Sequence, residues 1–282
     1  MTVFRAAAAW IDDKIVKRVD ICVDATGIIT SVGPSGEPTT DEVIDLPGVV
    51  YPGFANAHSH AFHRALRGRT HGDGGTFWTW RQGMYQVAAT LNPDSYYSLA
   101  RAVYGEMVLA GVTSVGEFHY VHHQPNGTPY ADPNAMGLAL ISAAQDAGLR
   151  ITLLDTCYLS GGLDASGHLP MQPEQVRFSD GSASAWAERV HLMSDSPTTR
   201  IGAAIHSVRA VPRDSIATVV AASDQWPLHI HVSEQPAENQ ACVAAYGMTP
   251  TELLGATGVL SGRTTAVHAT HLTAHDIELL GS

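Results

Sequence analysis

The chain has 282 residues, 45% of them hydrophobic and 15% charged, with a formal net charge of −11. That charge argues against nucleic acid or an anionic membrane as partner, while an anionic small substrate remains compatible with a locally positive pocket. No apolar run approaches the roughly 20 residues of a membrane span. The N-terminus has no signal-peptide pattern, and Cys22, Cys157 and Cys242 are too scattered for a disulfide framework, so a cytoplasmic protein is expected.

Residues 1–50 alternate short β-like runs (2–5, 15–23 and 28–32) with turn residues, and 33–38 read as a loop. They predict a small antiparallel sheet that is too short to stand alone. An apolar run at 46–51 leads into a strand over 49–57, and from there strand, loop and helix alternate. The strand-like runs are 49–57, 112–119, 150–157, 200–207, 228–232 and 264–268. Helix-like segments follow them at 94–110, 133–147, 182–194, 213–222, 236–246 with 250–254, and 274–280. Asn92-Pro93 and Asp132-Pro133 read as capped helix starts, and Gly111 and Gly148 fall where a left-handed residue ends a helix. Six βα repeats without a glycine-rich phosphate loop predict a (β/α)8 TIM-type barrel over 51–282, two units short of closure. The sequence is therefore expected to be part of a longer protein.

In such a barrel the reactive groups gather where strands end. Those ends read His58/His60, Glu117/His119/Tyr120, Asp155/Tyr158, His206/Arg209, His229/His231/Glu234 and His268/His271. Alternation puts His58 and His60 on one face of an extended segment, so two imidazoles can grip one metal ion, and imidazole suits zinc or iron. His229 and His231 also share a face, so spacing alone leaves the third ligand open. Glu234 favours His231, because a carboxylate three residues on can take a proton from a bound water and pass it to a leaving nitrogen. His268 and His271 stay open in the same way.

The pattern Pro52-Gly53-Phe54-x-Asn56-x-His58-x-His60, then His231-x-x-Glu234, then His268-x-x-His271-Leu272, resembles the amidohydrolase superfamily in its deaminase/chlorohydrolase branch. The resemblance implies one divalent metal, most often Zn2+ with Fe2+ as the other candidate, held by His58, His60 and His231. It implies Glu234 as proton shuttle and His268 as the residue that orients the water. The fourth ligand of that branch is an aspartate on strand 8, expected beyond residue 282, without which these 282 residues are expected to be inactive. Residues 1–50 correspond to one part of the branch's small β-sandwich, and a homodimer is implied.

A narrower resemblance runs through His58-Ser59-His60-Ala61-Phe62-His63-Arg64-Ala65-Leu66-Arg67-Gly68, Phe77-Trp78-Thr79-Trp80-Arg81, Gly116-Glu117-Phe118-His119-Tyr120-Val121-His122-His123 and His206-Ser207-Val208-Arg209-Ala210-Val211. These blocks are similar to the formimidoylglutamate deiminases of histidine degradation. The resemblance implies substrate contacts from Arg81, Tyr120, His206, Arg209 and His63, the last standing where the family usually has Gln. Independently, a glutamate-derived amidine carries two carboxylates, for which arginine's planar fork is the usual partner. Arg81 is expected on a Trp-rich loop after the first barrel strand and Arg209 after the fourth. Arg64, Arg67 and Arg69 are expected on helix surface or loop. The competing readings are a sister enzyme acting on a purine, pyrimidine or triazine-like ring, a non-catalytic scaffold of the same fold, and a truncated metal-binding module.

Overall fold

The computed structural model describes residues 1–36, 39–70 and 75–282, apart from the side chain of Trp78. Glu37 and Pro38, the end of the loop expected at 33–38, lie outside the described residues.

The β-like runs at the start become β1 (Thr2–Ile11), β2 (Lys14–Val23), β3 (Ile29–Pro34) and β4 (Glu42–Val50). Asp12 and Asp13 join β1 to β2 with φ of 49° and 60°, the double left-handed turn whose twist matches a hairpin. The sheet is mixed rather than antiparallel as expected. Its order is β3-β2-β1-β4, and β4 runs parallel to β1. The apolar run at 46–51 thus belongs mostly to β4, and the chain breaks at Pro52-Gly53 before the first barrel strand. Pro52 has no N–H to continue a ladder. Among the described residues of this unit the buried apolar side chains are Val3, Ala6, Ala8, Ala9 and Val19, a small set for a sheet of four strands.

The second compact unit, Ala55–Ser282, carries the core. Its strands are β5 (Phe54–Ser59), β6 (Val112–His119), β7 (Arg150–Cys157), a short hairpin of β8 (Gly162–Asp164) and β9 (Gly167–Leu169), then β10 (Thr199–Ile205), β11 (Leu228–Val232) and β12 (Thr264–His268). Six of them form one sheet in the order β5-β6-β7-β10-β11-β12, with parallel ladders from β6 to β12. This is the curved, nearly closed sheet of a TIM-type barrel, as expected. A Cβ on Gly116 would stand 2.8 Å from the Ala57 carbonyl oxygen, so only glycine lets β6 lie this close to the strand that carries His58.

The helices are α1 (Phe77–Thr90), α2 (Pro93–Leu109), α3 (Ala135–Ala147), α4 (Ala183–Val190), α5 (Arg213–Ala222), α6 (Pro236–Tyr246), α7 (Pro250–Ala256) and α8 (Ala274–Leu280). Asn92 caps α2 by accepting from Ser95 N, with Pro93 as first helical residue. Gly148 ends α3 with φ of 77°. Helix α1 was not expected. It places Arg81 on a helix where the sequence predicts a loop. Helix α4 stops at Val190, short of the expected 194, and the β8–β9 hairpin was also not anticipated.

Between β7 and α4 lies a buried ionic network. Arg189 donates to both carboxylate oxygens of Asp155 (2.8 and 2.9 Å) and to both of Asp180 (2.7 and 2.9 Å), while Trp186 Nε1 donates to Asp155 at 2.9 Å. Burial alone would raise the Asp155 pKa, but the Arg189 charge more than offsets it and holds the group at about 2. A depressed carboxylate contributes stability above its unfolded pKa of about 4, and loses it as pH falls towards 2. Arg189→Met strands two buried carboxylates and is expected to cost about 3–5 kcal/mol at neutral pH. Urea unfolding reads that loss, and a midpoint unchanged from wild type would show that the network contributes nothing net.

Candidate metal centre and active site

Three imidazoles meet where the barrel strands end. His58 lies on β5, His60 just beyond it and His231 on β11. Their Nε2 atoms stand 3.1 Å (His58–His60), 3.2 Å (His60–His231) and 3.3 Å (His231–His58) apart. The backbone fixes two of the tautomers: His60 Nδ1 donates to the Phe118 carbonyl at 2.9 Å and His231 Nδ1 to the His206 carbonyl at 3.0 Å. Each of those rings therefore turns a bare lone pair towards the others. Burial drives the pKa of His60 and His231 well below the usual histidine value and that of His58 to about 4, so the cluster is neutral at pH 7. Converging lone pairs repel unless a cation lies between them. A tetrahedral ion with bonds near 2.0–2.1 Å spaces its nitrogens about 3.3 Å apart. The cluster meets that requirement, and its donor chemistry fits a divalent metal.

Of His229 and His231, only His231 brings a ring nitrogen into the converging trio, while His229 is buried with no hydrogen-bond partner at its Nδ1. His268 faces the cluster, its ring 5.3 Å from that of His231 and its Nε2 3.7 Å from Glu234 Oε1. Its backbone is left-handed, with φ of 68°, a conformation uncommon outside glycine and often found at functional sites. His271 is exposed and does not reach the cavity.

These side chains open onto a cavity of about 310 Å3. It is lined by the ten residues to which the resemblance gives roles: His58, His60, His231, Glu234 and His268 on the side of the imidazole cluster, and His63, Arg81, Tyr120, His206 and Arg209 around them. His63 Nε2 lies 3.0 Å from the Tyr120 hydroxyl. Arg81 Nε donates to the Tyr85 hydroxyl at 2.6 Å. Arg209 Nη2 donates to Glu234 Oε2 at 3.3 Å. His206 packs edge-on against Tyr158, and burial, reinforced by Arg209 and Arg81, keeps it neutral. Arg64, by contrast, pairs with Glu106 away from the cavity.

Further lining residues are aromatic: Phe77, Trp80, Tyr85, Tyr158 and Phe178. The sequence marks Tyr158 at a strand end but assigns no role to the other four, although a signal was present. Phe77, Trp80, Arg81, Met84 and Tyr85 are spaced i, i+3, i+4, i+7 and i+8, the stripe of one helical face, and all five line the cavity.

A second cluster, His119, His122 and Asp155, has ligand atoms close together. Both oxygens of Asp155 are already taken by Arg189, whose own charge opposes a cation there, so the cluster reads as part of the buried network.

Parallel strands that deliver imidazoles and a carboxylate to one rim are the architecture of barrel hydrolases that act through a bound metal. Residues 49–282 match the amidohydrolase family, and the chain belongs to it. The chain is 37% identical over 277 residues to formimidoylglutamate deiminase of Pseudomonas aeruginosa, which covers 96% of this chain and 60% of that protein. It is 27% identical over 239 residues to the 8-oxoguanine deaminase of the same organism, covering 83% and 51%. Among solved structures, an amidohydrolase from Brucella melitensis superposes with a TM-score of 0.90 at 33% identity, over 99% of this chain and 62% of that one. Atrazine chlorohydrolase from Arthrobacter aurescens, solved in complex with zinc, superposes at 0.82 and 23% identity, a likeness of fold. The chain thus spans about 60% of the length of the deiminase it matches. Among its described residues no helix is long and apolar enough to cross a membrane.

Proposed function

We propose that this chain carries the catalytic site of a formimidoylglutamate deiminase, which hydrolyses N-formimino-L-glutamate to N-formyl-L-glutamate and ammonia. The observation that carries this reading is a single cavity that pairs a neutral three-imidazole cluster with two guanidinium groups, Arg81 and Arg209. A linear amidine with two carboxylates matches both ends of that arrangement. His58, His60 and His231 would hold one divalent ion, with Zn2+ favoured and Fe2+ compatible with the same donors. Such an ion supplies Lewis acidity when bound and brings the ionisation of water towards neutral pH.

The chain's own groups do the rest. Arg81 and Arg209 hold the carboxylates, and Tyr120, His63 and His206 orient the chain between them. Glu234 accepts a proton from the attacking water as its oxygen bonds to the formimino carbon. His268, facing Glu234 Oε1, steadies that oxygen. Glu234 passes that proton to the imino nitrogen, then carries the remaining hydroxyl proton of the tetrahedral intermediate to the same nitrogen; the bond from carbon to that nitrogen breaks, and ammonia leaves a formyl group behind.

The aromatic walls would also stack a nucleobase, and relatives include an 8-oxoguanine deaminase. A substrate panel separates the two readings. The metal-loaded full-length protein is expected to release ammonia from N-formimino-L-glutamate with kcat/KM about a hundredfold or more above any purine, because a neutral ring forgoes the charge-assisted bonds that the two partly buried arginines offer a dicarboxylate. A preference for a nucleobase, or no turnover of any linear amidine, would overturn the proposal.

A further inference from the structure

Glu238 is a fully buried carboxylate that the reaction as described does not use. It is the third residue of α6, which starts at Pro236 after a Gln235 that gives no side-chain cap. Glu238 Oε2 accepts from the backbone N–H of Glu234 at 3.3 Å and lies 3.5 Å from Arg209 Nε. The neighbouring Ser233 N–H faces the same carboxylate, at a residue held left-handed with φ of 50°. An acidic residue at this helix position ordinarily caps the helix from the surface. Here it is sealed in, with its other oxygen unpartnered, beside a guanidinium that lines the cavity.

Arg209 therefore lies between two carboxylates, with Nη2 towards Glu234 and Nε towards Glu238. The Glu234 contact is on the cavity side, where an incoming carboxylate would compete for the same guanidinium. Glu238 lines a separate smaller cavity of about 230 Å3, shared with Arg81 and Arg209, and holds Arg209 from that side.

We propose that Glu238 is a positioning residue whose single buried carboxylate fixes the backbone of Glu234 and the guanidinium of Arg209 together, and so sets the preference for carboxylate-bearing substrates. The inference rests on the deiminase reading for the identity of the substrate, but its geometry concerns any anionic one. The arrangement couples the proton carrier to the substrate arginine: if Arg209 shifted, the same carboxylate would also release the turn that carries Glu234. Substrate binding can draw Nη2 away from Glu234 while Nε stays seated, leaving the Glu234 side chain free to move its proton.

Glu238→Gln tests this, because glutamine keeps an oxygen for the Glu234 N–H and removes the charge that seats Arg209. For N-formimino-L-glutamate, KM is expected to rise about tenfold with kcat within about threefold of wild type. For N-butylformamidine, which has the amidine but no carboxylate, KM should rise at least about fivefold less than that. Glu238→Ala loses both contacts and should lower kcat for the two substrates alike. Calorimetry with glutarate, which needs no turnover, should show its Kd raised about tenfold in Glu238→Gln. Equal effects of Glu238→Gln on the amidines with and without carboxylates, with an unchanged glutarate Kd, would reduce Glu238 to a structural cap and overturn the inference. Wild-type protein that binds glutarate but does not turn over formiminoglutamate would overturn the deiminase reading alone. If Glu238→Ala does not fold, Glu238→Gln and the glutarate titration decide.

Discussion

Glu234→Gln is expected to lower kcat by about 10²–10⁴-fold while bound metal stays at the wild-type level. The substitution is isosteric, and its amide oxygen can still accept from Arg209 Nη2, which lies 3.3 Å from the Glu234 carboxylate. The surrounding geometry should therefore persist, and only the ability to take up and release a proton is lost. His268 cannot take over this role by position, because its Nε2 already faces Glu234 Oε1 at 3.7 Å. KM for the dicarboxylate should change little, since the carboxylate-binding groups are untouched. Steady-state kinetics with metal analysis on the same preparation reads both quantities. A kcat within tenfold of wild type would remove Glu234 from the proton path.

The parts of the fold visible in the sequence are those set by local pattern. Strands β6, β7, β11 and β12 fall where runs ending in His, Cys or Val predict them, and β7 and β11, buried on both faces, are the most continuously sheltered of the four. Helices α5, α6 and α8 likewise have the boundaries their caps and prolines indicate. The misses have a common physical origin in non-local pairing. The parallel union of β4 with β1 depends on how the intervening chain crosses the sheet, which no local signal records. The β8–β9 hairpin has strands of three residues, too short for alternation to show, and its turn is held by Asp164 accepting from Ser166. Helix α1 hid because its stripe faces a cavity: a face carrying Phe77, Trp80 and Tyr85 together with Arg81 does not read as core.

The site was legible to a similar limit. The ten residues given roles by the motif resemblance line one cavity, whereas Glu117, His119, Asp155, His229 and His271, also at strand ends, do not, and spacing alone left His229 and His231 open. That choice depends on a carbonyl from another strand, since His206 O accepts the Nδ1 proton of His231 and aims its Nε2 at the cluster. The same is true of Glu238, whose position three residues into α6 reads as an ordinary helix cap until Arg209 of a different loop is placed against it.

The choice between the two histidines yields the other large effect. His231→Ala is expected to reduce bound metal from about one equivalent to under about one tenth after dialysis, with loss of turnover to match. Two imidazoles would remain, His58 and His60, with Nε2 atoms 3.1 Å apart, and the pair lacks the third nitrogen that closes the face of a tetrahedron. His229→Ala is the matched control. It removes a buried imidazole two residues away on the same strand whose nitrogens are not among the three that converge, and metal content should stay near one equivalent. Elemental analysis of the two variants side by side separates loss of a ligand from general damage to β11, because both substitutions open a cavity in that strand. If the two lost metal equally, the strand's packing rather than the His231 nitrogen would govern retention. If His231→Ala kept its metal, the three converging nitrogens would not be the ligand set, and the proposed role of this cavity would fall with them.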